Sequence, residues 1–208
     1  MLVIIDNDMG NIQSVADAMS KLGVSFIISD DIATIKQANS LIFPGVGAFP
    51  MAMANLKKLS LDKVLKEKLV KKNTPFLGIC LGMQLLFEES DEQILTKGLG
   101  LLKGKVTRIS SDAGCAVPHV GWNRVNTTKE NPLFGNIDTN ARFYYDHSYF
   151  VTESDQDVFA SLNYSEEMSV GVWKNNIFGV QFHPEKSQRN GLKLLRNFVN
   201  YADKVVPC

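Results

Sequence analysis

The sequence predicts an α/β fold: a three-layer α/β/α arrangement around a mainly parallel central sheet, joined to a β-rich C-terminal half. Three observations carry that expectation. Short apolar runs alternate with amphipathic stretches through the first half of the chain, the pattern of βαβ units and a parallel sheet. From Gly98 onward the helical periodicity gives way to β-rich segments separated by turn residues. No linker, repeat or low-complexity segment interrupts the 208 residues, so one domain spanning 1–208 is expected.

The elements follow in order. LVII, Leu2 to Ile5, reads as a first buried strand that meets acid at Asp6. Ser25–Ser29, Ser40–Pro44 and Pro75–Ile79 read as further strands. Between them Asn11–Leu22, Ala48–Lys72 with an interruption, and Leu81–Glu89 read as amphipathic helices. Right-handed crossovers then place helices on both faces of the sheet. Beyond Gly98 come GLLKGKVTRIS, HVGWNRVN, ARFYYDHSYFV, VFASLNY, MSVGVWKNN and IFGVQFH, with a hairpin turn at Lys174-Asn175-Asn176. A helix over Asn190–Asp203 closes the chain.

Composition narrows the function classes. The chain is 45% hydrophobic and 21% charged, as globular proteins are. Its 22 basic residues balance 22 acidic ones, which argues against nucleic acid as a partner. Lys57, Lys58, Lys66, Lys68, Lys71 and Lys72 interleave with Asp62 and Glu67, the mark of a solvated helix face. No apolar run approaches the roughly 18 residues of a membrane span, and the N-terminus lacks the basic region of a signal peptide. The three cysteines, Cys80, Cys115 and Cys208, form no CxxC pair. Neither a disulfide framework nor a metal site is expected, and a reducing cytoplasm fits.

Cys80 stands apart. It lies in GICLG, between Gly78 and Gly82, where a strand passes into a helix. That is the pattern of a nucleophile elbow, in which flanking glycines let backbone approach closely and the nucleophile stands at the carboxyl edge of the sheet. A helix N-terminus favours thiolate. The N–H of Leu81 points where an oxyanion would develop. A structural core cysteine would explain the thiol but not the paired glycines.

A thiol nucleophile needs a base. His183 ends an apolar strand in GVQFHPEKS. Pro184 is expected to hold the chain extended there, so that His183 and Glu185, two apart, face the same side and the carboxylate orients the imidazole. His119 and His147 lack such an orienting acid and read as structural or cavity-wall residues. PGVG, Pro44 to Gly47, follows a strand but carries neither the third glycine of a dinucleotide loop nor G-K-[ST]. Opposite the elbow, Gly45, Val46 and Gly47 become candidates for the second side of an oxyanion hole. Gln84 lies one helical turn beyond Cys80, on its face.

GICLGMQLL, PGVGAF and GVQFHPEKS together resemble the class I glutamine amidotransferases, whose triad is Cys–His–Glu. DMGN, VPHVGWN, HSY and FHPEKSQRNGLKLLRNF narrow the resemblance to the glutaminase subunits of imidazole glycerol phosphate synthase, from end to end. The resemblance implies a reaction: Cys80 attacks the amide of L-glutamine, His183 moves the proton, Glu185 orients His183, and a thioester is hydrolysed. It implies that Gln84 and Glu92 bind the substrate's α-end and that Ser148 and Tyr149, beside His147, bind its α-carboxylate. No cofactor is implied. The implied partner is a (β/α)₈-barrel cyclase, which forms a heterodimer with the glutaminase and uses the ammonia to make imidazole glycerol phosphate and an aminoimidazole-carboxamide ribonucleotide for histidine biosynthesis. Asn11, Trp122 and Asn123 are candidates for that interface. The glycines of PGVG permit a peptide flip that would complete the oxyanion hole only in the active complex.

Two departures bear on the partner. Asn7-Asp8 stands where the family usually has Tyr-Gly, and Asp146 where it has an apolar residue. Both fit an alternative: a paralogous glutaminase feeding an amidino-sugar synthase for surface glycans or flagellin. A cysteine peptidase or thiol stress protein of related fold would predict neither Gln84 nor the Cys–His–Glu set.

Overall fold

The computed structural model describes residues 1–8, 11–111, 114–152 and 157–205. Met9 and Gly10 of DMGN, and Cys208, lie outside them. The chain opens with β1 (Leu2–Ile5), α1 (Ile12–Lys21), β2 (Phe26–Ser29), α2 (Ile32–Gln37) and β3 (Ser40–Gly45). Next come α3 (Phe49–Lys58), α4 (Leu61–Lys66), which runs into a π turn at Glu67–Lys71, β4 (Phe76–Cys80) and α5 (Leu81–Gln84). The β-rich half holds β5 (Glu89–Ser90), β6 (Thr96–Lys97), β7 (Lys105–Arg108), β8 (His119–Arg124) and β9 (Asn126–Thr127). It continues through β10 (Arg142–His147), β11 (Tyr149–Thr152), β12 (Val158–Asn163), β13 (Glu167–Lys174) and β14 (Ile177–Val180), and α6 (Gln188–Val205) ends it.

The parallel part runs β2-β1-β3-β4-β14. Its inner strands β1, β3, β4 and β14 are buried along their whole length, as strands covered on both faces must be. Alternation then sorts their side chains. Leu2, Ile4, Ile42, Leu77 and Ile79 join the core under α1 and α6, with Val15, Met19, Leu194 and Phe198. Val3, Ile5, Leu41, Phe43 and Phe76 join the core under α3 and α4, with Leu56, Leu61 and Leu65. The three layers are therefore the period-two strand pattern meeting the 3.6-residue helix pattern from both sides. Beyond β14 the sheet continues through antiparallel β13, β11 and β7, while β8 and β10 form a separate antiparallel pair. Asn175 takes a left-handed φ of 53° at the expected β13–β14 hairpin.

Four local expectations are corrected. The helix expected over Leu81–Glu89 stops at Gln84. The loop Leu99–Leu102 turns its N–H groups onto the carbonyls of Leu85, Leu86 and Phe87, which a continuing helix would need. The helix α2 went unread because six residues give too little periodicity; its signal was Asp31, whose carboxylate accepts the Thr34 N–H at 2.8 Å as an N-cap. Lys68 is not on a solvated face: it is buried, and its ammonium donates to the carbonyls of Lys36 and Ala38 at the end of α2. Burial holds its pKa below the usual lysine value. Finally, Pro184–Lys186 is a turn of 3₁₀ helix rather than extended chain.

Candidate active site

The register places the end of β3 against the end of β4, with Gly45 opposite Cys80. Cys80 itself has φ 53° and ψ −110°, a conformation that side chains rarely adopt. Packing holds it there. A Cβ on Gly82 would stand 1.9 Å from the Phe43 carbonyl oxygen, and one on Gly78 would stand 2.5 Å from the Gly82 carbonyl oxygen. The elbow is thus folded so tightly, β4 against α5 and α5 against β3, that neither glycine has room for a methyl group. Gly45 serves the same approach, since its own Cβ would meet Leu81 Cβ at 3.0 Å.

His183 comes in at the end of β14, next to β4 in the sheet. Its Nδ1 is 2.7 Å from Glu185 Oε1, and the two side chains are 1% and 2% exposed. The pairing expected from sequence is present, but by a different route. Pro184 starts a 3₁₀ turn, and the tight turn, not an extended strand, brings the carboxylate under the ring. Ser187 locks the arrangement: its hydroxyl donates to the His183 carbonyl at 2.6 Å and accepts the Tyr144 N–H at 2.9 Å. His183 N–H donates to the Tyr144 carbonyl. Gly191 of α6 lies against the Pro184 carbonyl, where a Cβ would be 1.7 Å from the oxygen.

The other ring nitrogen, Nε2, has no nitrogen or oxygen partner. Burial alone would push the His183 imidazolium pKa down. The Cys80 sulfur and then Glu185 outweigh burial and push it up to about 10.

A cavity of about 340 Å³ opens on Cys80, within the size range of small-ligand sites. Val46, Gly47, Leu81, Gln84, Glu92, His147, Ser148 and Tyr149 all line it. Gly47 sits at φ 99°. Gly45 is not in the wall; it packs beneath it. Glu92 is no solvated loop acid, because Oε2 accepts the N–H of Phe49 at the start of α3, 2.8 Å away. The amide nitrogen of Gln84 is doubly engaged, donating to the Tyr149 carbonyl at 2.9 Å and to Gln181 Oε1 at 3.0 Å. Its oxygen is therefore the atom left for a ligand. A larger cavity of about 810 Å³, around Thr127–Ala141 and Trp173, is lined by neither cysteine nor histidine.

Three polar residues in this region escaped the sequence reading as site residues. Gln181 is fully buried and donates to Cys80 Sγ at 3.6 Å. The available signal was its place two residues before His183, on the same side of an extended chain. His119 Nδ1 lies 3.0 Å from His147 Nε2, a pairing across β8 and β10 that no local pattern announces. Burial lowers their pKa values to about 4 for His119 and about 3 for His147. Asp146 also lines the cavity. Of the candidate interface residues, Trp122 is 40% exposed beside exposed Val120 on one face of β8. Asn123 turns the other way and meets His119 Nε2 at 2.7 Å. Asn11 precedes α1 and makes no side-chain cap.

Known proteins resemble this chain along nearly its whole length. A family model described as "Glutamine amidotransferase class-I" matches residues 3–201. The chain is 47% identical over 202 residues to "Imidazole glycerol phosphate synthase subunit HisH 2" of Vibrio vulnificus (strain YJ016), covering 97% of this chain and 94% of that protein. It is 44% identical to the protein of the same name from Methanococcus maripaludis, covering 97% and 100% of the two chains. Among solved structures, "Crystal structure of glutamine amidotransferase" superposes with a TM-score of 0.76 at 17% identity, over 97% of this chain and 98% of that one.

Proposed function

The chain belongs to the class-I glutamine amidotransferases, and from that premise we propose that it hydrolyses L-glutamine at Cys80 and hands the ammonia to a synthase partner. The observation that carries this reading is the buried His183–Glu185 pair, 2.7 Å apart, set beside a thiol on a strained strand-to-helix corner.

The chemistry runs as follows. Substrate glutamine lies in the cavity with its amide carbon against Cys80. The sulfur gives its proton to His183 and adds to that carbon. Negative charge develops on the carbonyl oxygen, toward the N–H of Leu81 and a second N–H from the Val46-Gly47 loop. His183 returns the proton to the departing nitrogen, the carbon–nitrogen bond breaks, and ammonia leaves a thioester on Cys80. Water, deprotonated by His183, then cleaves the thioester to glutamate and regenerates the thiol. Glu185 keeps the imidazole oriented throughout. Gln84 Oε1 and Glu92 are the acceptors for the α-ammonium, and Ser148 and Tyr149 flank the α-carboxylate.

The partner is a (β/α)₈-barrel cyclase of the histidine pathway, in a cytoplasmic heterodimer. The relatives' names favour it over an amidino-sugar acceptor. Trp122, Val120, Tyr144 and Asp146 share the outer face of the β8–β10 pair, next to the cavity mouth, and make its docking surface. Asn11, which precedes α1, is a further candidate for the interface. A peptide flip in the Val46-Gly47 loop completes the oxyanion hole when that surface is engaged.

Treating the protein with diazo-oxo-norleucine, a glutamine analogue, in the presence of the cyclase and its ligand tests the reading. One adduct on Cys80, absent from Cys80→Ala, is expected by mass spectrometry. An adduct on another residue, or none, refutes the assignment.

A further inference from the structure

The hydrogen bonds around the Tyr149 carbonyl fix every donor and acceptor in two chains of polar side chains. A carbonyl oxygen only accepts. Gln84 must therefore turn its NH₂ toward Tyr149, and that same NH₂ reaches Gln181 Oε1 at 3.0 Å. Gln181 then has only one way round: its oxygen toward Gln84 and its nitrogen toward Cys80 Sγ, 3.6 Å away. The second chain starts from the same oxygen. His147 Nδ1 lies 2.8 Å from it and must carry a hydrogen. The opposite nitrogen of neutral His147 accepts from His119 Nδ1, and His119 Nε2 in turn accepts from the Asn123 amide at 2.7 Å.

This histidine arm is clamped. The His119 ring stacks between Tyr145 and Tyr164, with centroids 4.8 and 4.0 Å away. The Tyr164 hydroxyl is tied to the Ala116 carbonyl. The titratable groups that act on His147 are His119 and His183, and a proton on either opposes a proton on it.

We propose that Gln181 is a positioning residue for the Cys80 sulfur, and that the Tyr149 carbonyl, braced by His147, His119 and Asn123, sets which way its amide faces. The proposal rests on Cys80 being the nucleophile. Gln181 N–H stabilises the thiolate and holds the sulfur on the His183 side of the elbow, while its oxygen holds Gln84 in the cavity wall. The two glutamines thus link the binding of substrate to the placement of the nucleophile, and neither needs to move during the reaction.

Two measurements on the full-length chain test it. The first is the pH dependence of Cys80 alkylation by iodoacetamide in the parent protein and in Gln181→Met, which keeps the volume and removes the donor. Loss of one hydrogen bond to the sulfur is expected to move the alkylation midpoint to higher pH, and to lower kcat for glutamine about tenfold with KM changed much less. An unchanged pH profile overturns the proposal, whereas a purely structural role would lower yield or stability and leave the profile in place. The second needs no variant: ¹⁵N spectra of the histidines. His119 and His147 are expected as neutral Nδ1–H tautomers between pH 6 and pH 8, and an Nε2–H tautomer on either breaks the chain that orients Gln181. Failure of diazo-oxo-norleucine to label Cys80 in the parent protein is a separate result, and would remove the nucleophile itself.

Discussion

At the end of β4 the thiol is held by backbone, and at the end of β14 the imidazole is held by side chains. The elbow depends on three glycines, Gly45, Gly78 and Gly82, whose missing methyl groups let β3, β4 and α5 touch. No side chain caps the short helix that follows. The imidazole depends on Glu185, on Ser187 bonded to two backbone groups, and on Tyr144 of a separate strand pair. The first device is steric and all-or-none. The second is electrostatic and graded, so partial losses are available to it. This difference suits the two roles. A nucleophile must be presented in one place, whereas a base must shift its affinity for a proton as the reaction proceeds.

The contrast breaks most sharply at Gly82. Gly82→Ala puts a methyl group 1.9 Å from the Phe43 carbonyl, and backbone cannot yield as a flexible side chain can. A loss of about 4 kcal/mol or more in unfolding free energy is expected by denaturant titration; a loss under about 1 kcal/mol would show that the elbow is not clamped. Glu185→Gln should act on rate rather than on fold. It keeps the shape but removes the charge, and its NH₂ can face the ring and favour the wrong tautomer, so kcat should fall on the order of 10²- to 10⁴-fold in a glutamate-release assay, with thermal stability little changed. Parent-like turnover would leave Glu185 without its orienting role.

Smaller effects sharpen the comparison. Ser187→Ala strands the Tyr144 N–H and frees the His183 carbonyl, and should cost about 1–3 kcal/mol of stability together with a modest drop in kcat. If stability falls and kcat holds, Ser187 supports the turn without aiming the ring.

A last effect is a pH slope. The unfolded chain binds protons at His119 and His147 near pH 6.5, while the folded chain refuses them until about pH 4 and about pH 3. Their contribution is therefore fully present above pH 6.5 and is lost as pH falls toward 3, by at most about 1.4 kcal/mol per pH unit for each ring. His183 works with the opposite sign. Its pKa, raised to about 10, favours the fold below pH 6.5 and ceases to do so as pH rises through 10. Replacing His119 with Gln should flatten the acid limb and leave the alkaline limb unchanged. An acid limb of parent steepness would place its origin elsewhere.

Much of this was legible in the residues alone. β1, β3 and β4 were read nearly to the residue, because strands buried on both faces write themselves as unbroken apolar runs. The elbow was legible because steric exclusion leaves a local trace, glycine on either side of the nucleophile. His183 and Glu185 were paired correctly for a reason that was wrong, since two-residue spacing is satisfied by an extended chain and, here, by a 3₁₀ turn. The helix α2 and the early end of α5 were not legible. One was too short for a period to show, and the other was decided by the N–H groups of Leu99–Leu102, remote from Gln84 in sequence.

Local sequence determined which groups the proposed chemistry would use: one thiol at a corner that admits no methyl groups, one imidazole with its acid two residues on. The tertiary structure decided how those groups are oriented. Gln181, Gln84, His147 and His119 come from β-strand ends and a helix far apart in the chain, and they meet around a single carbonyl, that of Tyr149. A hydrogen bond is directional and can join any two points of the chain, so its partners leave no periodic mark in sequence. A close backbone approach leaves its mark on the spot, as a glycine.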